Sequence, residues 1–241
     1  MSAAVLGIDT SATVCAGVAR AGEVVASATV ADTRAHAERL MPLVQQVVAE
    51  AGLGDLAGYE SIAVGVGPGP FTGLRVGVVA AITLGEALGI PVRGVCSLDV
   101  LAHQAVVAGL VGSEFVVATD ARRKEWYWAR YSVRGTGTGD SPSVSAQAAV
   151  PAFGGTVPMA TLVHRVEGPF VTAPDELPDL PQVGPVTGTP LDLDAGALAA
   201  IAADLPDAGL EPLYLRRPDA QVPTTRKSTL LPPRLAARRT R

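Results

Sequence analysis

Two acidic residues each end an apolar, strand-like run where a polar turn begins. Asp9 ends the run AVLGID and is followed by Thr10 and Ser11, and Asp120 ends the run FVVATD. A carboxylate and hydroxyls at the tip of a strand can hold a nucleotide through Mg²⁺ and phosphate oxygens. The same carboxylates can instead accept hydrogen bonds from their own turns. The sequence leaves both interpretations open for these four residues.

A second place for a phosphate is the stretch GVGPGPFTGLRVGVVAAITLGEALG at 65–89, where a glycine-rich turn opens a helix. Its glycines match neither the G-x-G-x-x-G pattern nor the P-loop pattern, and no Lys-Ser/Thr pair follows. Pro68 and Pro70 remove two backbone N–H donors, and Arg75 is the cation that the stretch offers. The pattern therefore disfavours a phosphate cradle.

Histidine and cysteine spacing offers no local metal site. The histidines (His36, His103 and His164) form no H-x-x-x-H pair, the cysteines (Cys15 and Cys96) form no C-x-x-C, and no G-x-S-x-G elbow occurs. We predict that the chain has no catalytic residue and no metal ligand of its own.

A basic segment, Arg122, Arg123 and Lys124, precedes the aromatic run WYW at 126–128. Arginine beside aromatic rings can stack on nucleic-acid bases. Alternating strand residues can equally divide between core and surface. Both interpretations remain open.

The elements that carry these residues follow the order βββαβα. Three apolar runs at 4–11, 14–20 and 23–30 predict an antiparallel meander, and the next helix is predicted to start near Glu38 with Pro42 in its first turn. Further helices are predicted at 72–88, 98–108 and 194–205.

The strand–turn–strand layout occurs twice, because FVVATD with WYWARYSV echoes VLGID with VCAGVAR and places Asp120 over Asp9. Two such units describe the α/β fold of actin, Hsp70 and sugar kinases. We predict this actin/Hsp70-like (ribonuclease H-like), duplicated βββαβα fold. Its N-terminal subdomain spans 1–108, a smaller, divergent one spans 109–215, and a basic tail spans 216–241.

Composition favours a folded protein, since 48% of the 241 residues are hydrophobic. The sequence has no uninterrupted apolar run of about 18 residues, so it predicts no membrane span. The N-terminus lacks a signal-peptide pattern. We therefore expect a cytoplasmic protein. Residues 216–241 carry eight basic residues and one acid, a formal charge of +7 that leaves −11 for the rest. We predict that this tail is disordered, and it can either bind nucleic acid or be solvated.

Small residues recur every four positions along the helix at 72–88, at Gly73, Gly77, Ala81 and Gly85. Interior glycine costs about 0.5–1 kcal/mol relative to alanine, so the stripe predicts that another element approaches closely. An internal helix covered on both sides and a protein–protein interface are equally compatible with it.

Four segments in order resemble the TsaB (YeaZ) family: GIDTSATVCAGV, HAERLMPLV, GVGPGPFTGLRVGVVAA and TDARRKEWYWARY. They cover roughly residues 4–130, EPLYLR matches again near the end, and GPGPFTGLR is the most specific part. The family has the fold that the repeat predicts.

The resemblance implies a non-catalytic role in forming N6-threonylcarbamoyladenosine (t6A) at position 37 of tRNAs that read ANN codons. A TsaC-type enzyme supplies threonylcarbamoyl-AMP, a TsaD-type transferase forms a heterodimer with the TsaB-like chain, and a TsaE-type ATPase joins the pair. The chain alone can form a homodimer, and it meets tRNA through the complex. No cofactor of its own is implied, with ATP or ADP and Mg²⁺ as candidates at the complex interface.

The resemblance also implies that the two N-terminal helices form the surface that meets the partner. We assign to it Leu40, Val44, Val47, Phe71, Gly73, Leu74, Gly77, Val78, Ala81 and Gly85. On this view Gly77→Leu blocks heterodimer formation and leaves a folded monomer.

The sequence departs from the family pattern at 135–190, where the usual Gly-x-Gly turn is replaced by Gly168-Pro169-Phe170 and Gly184-Pro185. The alternative function is that of an ATP-dependent kinase or ATPase with Asp9 and Asp120 around Mg²⁺. A peptidase function is disfavoured, because the sequence shows no nucleophile or metal-ligand pattern that would support it.

Overall fold

The computed structural model describes residues 4–30, 36–135 and 161–216, which form two β-sheets and four α-helices. The predicted tail lies outside the described residues, except for Arg216.

The first sheet contains five strands in the order β3-β2-β1-β4-β5. The first three form the predicted antiparallel meander, and β4 and β5 run parallel to β1. The strands are β1 (Ala4–Asp9), β2 (Val14–Arg20), β3 (Glu23–Val30), β4 (Tyr59–Gly65) and β5 (Val92–Val95). Their helices are α1 (His36–Ala51), α2 (Phe71–Leu88) and α3 (Ser97–Val107).

The second sheet repeats this topology with four strands in the order β8-β7-β6-β9. A meander is again followed by a strand parallel to its first member. The elements are β6 (Glu114–Asp120), β7 (Trp126–Gly135), β8 (Thr161–Thr172), β9 (Gln182–Val183) and α4 (Ala195–Ile201). The predicted duplicated actin-like fold is confirmed, and Asp9 and Asp120 end equivalent strands.

Two helix boundaries differ from the prediction. The first helix begins at His36 instead of near Glu38, so Pro42 lies in its interior and not in its first turn. The predicted helix at 194–205 ends at Ile201. Proline inside a helix removes one backbone hydrogen bond and costs about 3 kcal/mol or more, a cost that burial of the apolar residues beside it can offset. Leu40, Leu43 and Val44 are all buried.

The first sheet is covered on both faces, which is why β1 and β2 are buried along nearly their whole length. On one face Leu6, Ile8 and Val18 pack with α1 and α2. On the other face lie α3, α4 and the second sheet, in a shared core that includes Cys15, Val95, Leu98, Phe115, Val117, Tyr131 and Leu198.

Helix α2 is 18 residues long with a mean hydropathy of 1.5, so length and composition alone would let it cross a membrane. In the fold it packs against β1, β4 and α1. Helix α2 therefore has one side buried against the first sheet and another that faces outward.

Helix α4 approaches the backbone of the first sheet closely, although its residues fall in the range predicted for the second subdomain. A Cβ on Gly7 would lie 1.9 Å from the Ala195 carbonyl oxygen, and one on Gly17 would lie 2.2 Å from the Gly196 nitrogen. Glycine at both strand positions lets helix and sheet meet without intervening side chains. The subdomain boundaries themselves stay a prediction.

A polar cluster around the buried side chains of Asp99 and Tyr131 joins α3 to the second sheet. The Tyr131 hydroxyl donates to Asp99 Oδ1 at 2.8 Å, and Arg165 Nη1 lies 3.3 Å from the same oxygen. Burial raises the pKa of Asp99, and Arg165 opposes that shift. Burial, reinforced by Asp99, raises the pKa of the neighbouring Cys96 thiol to about 12.

We predict that Gly17→Ala lowers the free energy of unfolding by about 1–3 kcal/mol or more, because the added methyl group would overlap the backbone of α4. Urea denaturation measures the change. Gly112→Ala is the matched control, since nothing lies within 4 Å of a Cβ there. Equal stability of the two variants would contradict the close approach of α4.

We also predict that stability falls as pH rises above about 9. An exposed thiol titrates near 9.0, so the unfolded chain loses this proton first while folded Cys96 retains it up to about 12. Each such group contributes a slope of up to about 1.4 kcal/mol per pH unit. Urea denaturation from about pH 8 to about pH 10.5 should show a shallower loss for Cys96→Ala than for Val95→Ala. The latter opens a neighbouring cavity without removing a titratable group, so identical slopes would refute the assignment.

Candidate functional site

The Asp9 carboxylate lies buried at the end of β1, and both of its oxygens accept hydrogen bonds. Oδ1 accepts from the backbone N–H of Ser11 at 2.7 Å and from its hydroxyl at 2.6 Å. Oδ2 accepts from the Ser97 hydroxyl at 2.5 Å. Burial raises the pKa of Asp9, and the bonds from Ser11 and Ser97 oppose that shift. Asp9 therefore joins β1 to the start of α3.

Thr10 lies buried between the first sheet and α2. Its hydroxyl donates to the Gly73 carbonyl oxygen at 2.8 Å and accepts from the Gly77 backbone N–H at 3.1 Å. The side chain therefore holds the first turns of α2 against the end of β1.

Asp120 occupies the equivalent position at the end of β6. Its Oδ1 accepts from the Arg122 backbone N–H at 2.7 Å, the same two-residue turn that Asp9 makes with Ser11. Unlike Asp9, however, Asp120 is exposed. The four residues predicted for a nucleotide therefore do not form one open site, because Asp9, Thr10 and Ser11 are enclosed.

The glycine-rich loop between β4 and α2 closes over the first turn. Gly67 exchanges two bonds with Ser97, its N–H donating to the hydroxyl at 3.2 Å and its carbonyl accepting from the Ser97 N–H at 2.8 Å. A Cβ on Gly69 would lie 2.5 Å from the Ser11 carbonyl oxygen, and the Tyr127 hydroxyl donates to the Gly69 carbonyl at 3.4 Å. The loop is packed against the chain and does not present a row of N–H groups to solvent.

The small-residue stripe of α2 faces the chain's own interior. A Cβ on Gly77 would lie 2.3 Å from the Thr10 hydroxyl oxygen, and one on Gly85 would lie 2.3 Å from a Val92 methyl carbon. Of the residues that we assigned to a partner surface, all except Phe71 are buried in this chain. These residues fill the space between α1, α2 and the first sheet, so Phe71 is the one assigned side chain that is exposed, and their assignment to a partner surface stays a prediction.

The outward sides of α1 and α2 border an open groove of about 530 Å³. Three large apolar residues there are exposed: Met41 by 37%, Phe71 by 40% and Val79 by 58%. We call this the α1/α2 groove, and its lining consists of Leu40, Met41, Phe71, Thr72, Arg75, Val76, Val79 and Ala80.

One end of the groove is ordered by aromatic and cation–π contacts. The Arg75 guanidinium lies 4.9 Å from the centre of the Phe71 ring, and the centre of the Tyr214 ring lies 4.7 Å from the centre of the same Phe71 ring. The C-terminal segment that carries Tyr214 thus contributes to the rim of the groove.

The sequence matches a known protein family over most of its length. A family model described as "TsaD: tRNA N6-adenosine threonylcarbamoyltransferase" matches residues 23–213. The chain belongs to this family. Within it, the chain is TsaB/YeaZ-like, as the GPGPFTGLR segment indicated.

Bacterial proteins resemble this chain. An uncharacterised protein of Mycobacterium tuberculosis H37Rv is 43% identical over 223 residues, covering 90% of this chain and 93% of the relative. The tRNA threonylcarbamoyladenosine biosynthesis protein TsaB of Escherichia coli K12 is 38% identical over 100 residues, covering 41% of this chain and 42% of that protein.

Solved structures share the fold. A Pseudomonas aeruginosa protein described as similar to peptidase YEAZ is 25% identical, with a TM-score of 0.64 over 89% of this chain and 100% of that chain. A structure described as YeaZ from the same species is 24% identical, with a TM-score of 0.63 over 88% of this chain and 100% of that chain.

The sequence pointed to Leu40 and Phe71 but not to the other residues that line the groove, namely Met41, Thr72, Arg75, Val76, Val79 and Ala80. It also gave no sign of Tyr214, which packs on Phe71. Helix α2 is apolar nearly all round, so hydrophobic periodicity did not separate its inward side from its outward side. The usable signal was the glycine stripe itself, since glycines mark where a helix meets its own sheet, and the groove lies on the opposite side.

We predict that Gly77→Leu lowers the free energy of unfolding by at least about 1–3 kcal/mol, because a side chain there would displace Thr10 from α2. This replaces the earlier expectation of a folded monomer that fails to bind. Thr83→Leu, on the exposed side of the same helix, is the control. Chemical denaturation compares the two, and a Gly77→Leu variant as stable as Thr83→Leu would show that the stripe is not a core contact.

Proposed function

We propose that this chain is the non-catalytic partner and activator of a TsaD-type transferase in forming t6A at position 37 of tRNA. It binds that partner as a heterodimer through the α1/α2 groove. The observation that carries the proposal is this exposed apolar groove on a chain of the TsaB/YeaZ-like type. The relatives' names support the pathway, and the groove supports the mode of action.

Contact with water is unfavourable for the large apolar side chains that the groove exposes. Met41, Phe71 and Val79 are large and apolar, and they lie beside one another along two helices. Exposed apolar side chains that cluster in a groove are common at interaction surfaces. Arginine, as at position 75, is enriched among the residues that contribute most binding energy, and phenylalanine, as at position 71, is enriched at interfaces generally.

The TsaD-type protein is the favoured occupant because the same family model describes it and matches this chain. A partner of the same fold presents two helices in the equivalent place, so two pairs can pack as a four-helix bundle. A second copy of this chain is the competing occupant, and the experiment below separates the two.

Enclosure of Asp9 favours a supporting role over catalysis of phosphoryl transfer. Both carboxylate oxygens are bonded to serines of the same chain, so magnesium binding there would require breaking those bonds. We therefore place ATP or ADP with Mg²⁺ at the complex interface, with the TsaE-type ATPase, and not in this chain. Binding and turnover of ATP–Mg²⁺ by the pure chain would favour the kinase-like alternative.

We predict that Val79→Glu weakens binding of the TsaD-type protein by at least about tenfold, because it buries a carboxylate in an apolar interface. Val25→Glu is the matched control, since Val25 is an exposed valine on β3, away from the groove. Calorimetry measures binding, and sedimentation of the chain alone reports whether a homodimer uses the same groove.

Reconstitution tests the function itself. The chain is combined with the same organism's TsaC-, TsaD- and TsaE-type proteins, ATP, threonine, bicarbonate and unmodified tRNA. We expect modification to require the chain and to fall with Val79→Glu but not with Val25→Glu. Full modification without the chain would refute the role, whereas normal binding by Val79→Glu would refute the groove as its site.

A further inference from the structure

The turn between β6 and β7 concentrates positive charge on a tightly closed backbone. Arg122, Arg123 and Lys124 are consecutive and exposed, and all three have left-handed backbone angles, with φ of 63°, 55° and 63°. We call residues 121–125 the basic turn. Two backbone bonds close it, from the Ala121 N–H to the Glu125 carbonyl and from the Glu125 N–H to the Arg122 carbonyl, both at 3.0 Å.

Backbone geometry does not explain the residue types in this turn. Left-handed angles favour glycine or asparagine and disfavour long side chains. Three basic residues nevertheless occupy successive left-handed positions. Residues kept in unfavourable backbone conformations tend to occur at functional sites, which directs attention to the side chains.

The two acids that flank the three cations each make a contact, Glu125 with Arg216 and Asp120 with the backbone of the basic turn. Arg216 Nη2 lies 2.8 Å from Glu125 Oε2, and Arg216 Nη1 donates to the Ala121 carbonyl at 3.0 Å. Asp120 accepts from the Arg122 backbone N–H. The C-terminal segment thus braces the turn and pairs with Glu125, one of the two acids that flank its cations.

The basic turn lies in a part of the sequence that is otherwise acidic. Residues 1–215 have a formal charge of −11. Beyond Arg216, which contacts the basic turn, the sequence carries seven further basic residues and one acid. The basic turn and the beginning of the basic tail therefore meet on an otherwise acidic protein.

From this juxtaposition we infer that the basic turn binds the phosphate backbone of tRNA, an inference that rests on the proposed function. Guanidinium groups bind phosphate oxygens through paired, charge-assisted hydrogen bonds, and an ammonium group adds a point charge. Backbone contacts of this kind position an RNA without reading its sequence. The turn thus acts as a positioning contact, while the reaction takes place on the TsaD-type partner.

The test uses the full chain, alone and with its TsaD-type partner, and an end-labelled unmodified tRNA transcript. Fluorescence anisotropy measures affinity across a series of KCl concentrations. The variants are Arg122→Gln, the double variant Arg122→Gln/Lys124→Gln, and the double variant Arg122→Gly/Lys124→Gly. Glycine accepts left-handed angles, so the last variant removes both charges from a turn that is at least as stable.

Arg20→Gln is the matched control, because it removes one cation at the end of β2, remote from the basic turn. Each phosphate contact contributes about 0.7–0.9 to the slope of log affinity against log salt. We expect both double variants to weaken binding and to flatten this slope by about 1.4–1.8. Arg122→Gln should flatten it by about half as much, and Arg20→Gln should leave it unchanged.

An unchanged slope in the double variants would overturn the inference, and so would equal effects of Arg122→Gln and Arg20→Gln. The inference would also be overturned if the double variants bound tRNA normally but bound the TsaD- or TsaE-type protein more weakly. The basic turn would then be a contact for an acidic protein surface. Reconstituted modification is scored separately. If modification does not need the chain, the proposed function fails, and the slope for the chain alone still decides whether the turn binds RNA.

Discussion

The contact between Thr10 and the first turns of α2 fixes the orientation on which the other surfaces depend. The Thr10 hydroxyl reaches Gly73 and Gly77 because neither residue has a side chain in the way. The contact sets the rotation of α2 about its axis. Once that rotation is fixed, Leu74, Val78 and Ala81 point inward, and Phe71, Arg75 and Val79 must face solvent. The groove is thus a consequence of how α2 is anchored.

Much of the fold was predictable from the sequence, because strands that end in aspartate occur twice and the second sheet repeats the strand order of the first. The glycine stripe also predicted a close approach correctly. The stripe did not reveal what approaches, because α2 is apolar on both sides and glycine looks the same against a partner or a sheet. Ser97, which completes the environment of Asp9, lies 88 residues away in sequence and has no local signal.

The two halves of the duplicated fold share the same aspartate turn, but the surroundings of that turn differ. Asp9 and Asp120 make the same bond to the backbone two residues on, at the same 2.7 Å. In the first half the glycine-rich loop and Ser97 enclose the turn, and the Asp9 carboxylate connects β1 to the start of α3. In the second half no such loop covers the turn among the described residues, and Arg216 braces it from the C-terminal segment. Three cations therefore stay at the surface of the second turn, where charge can act on a ligand.

The short C-terminal segment connects these surfaces physically. The Leu213 N–H donates to the Val66 carbonyl, Tyr214 packs on Phe71 at the groove, and Arg216 braces the basic turn. A protein seated in the groove would cover Tyr214 and so restrict the segment that holds Arg216 in place. Within four residues the chain thus passes from the groove to the basic turn. A partner that orders one of these surfaces would therefore help to order the other.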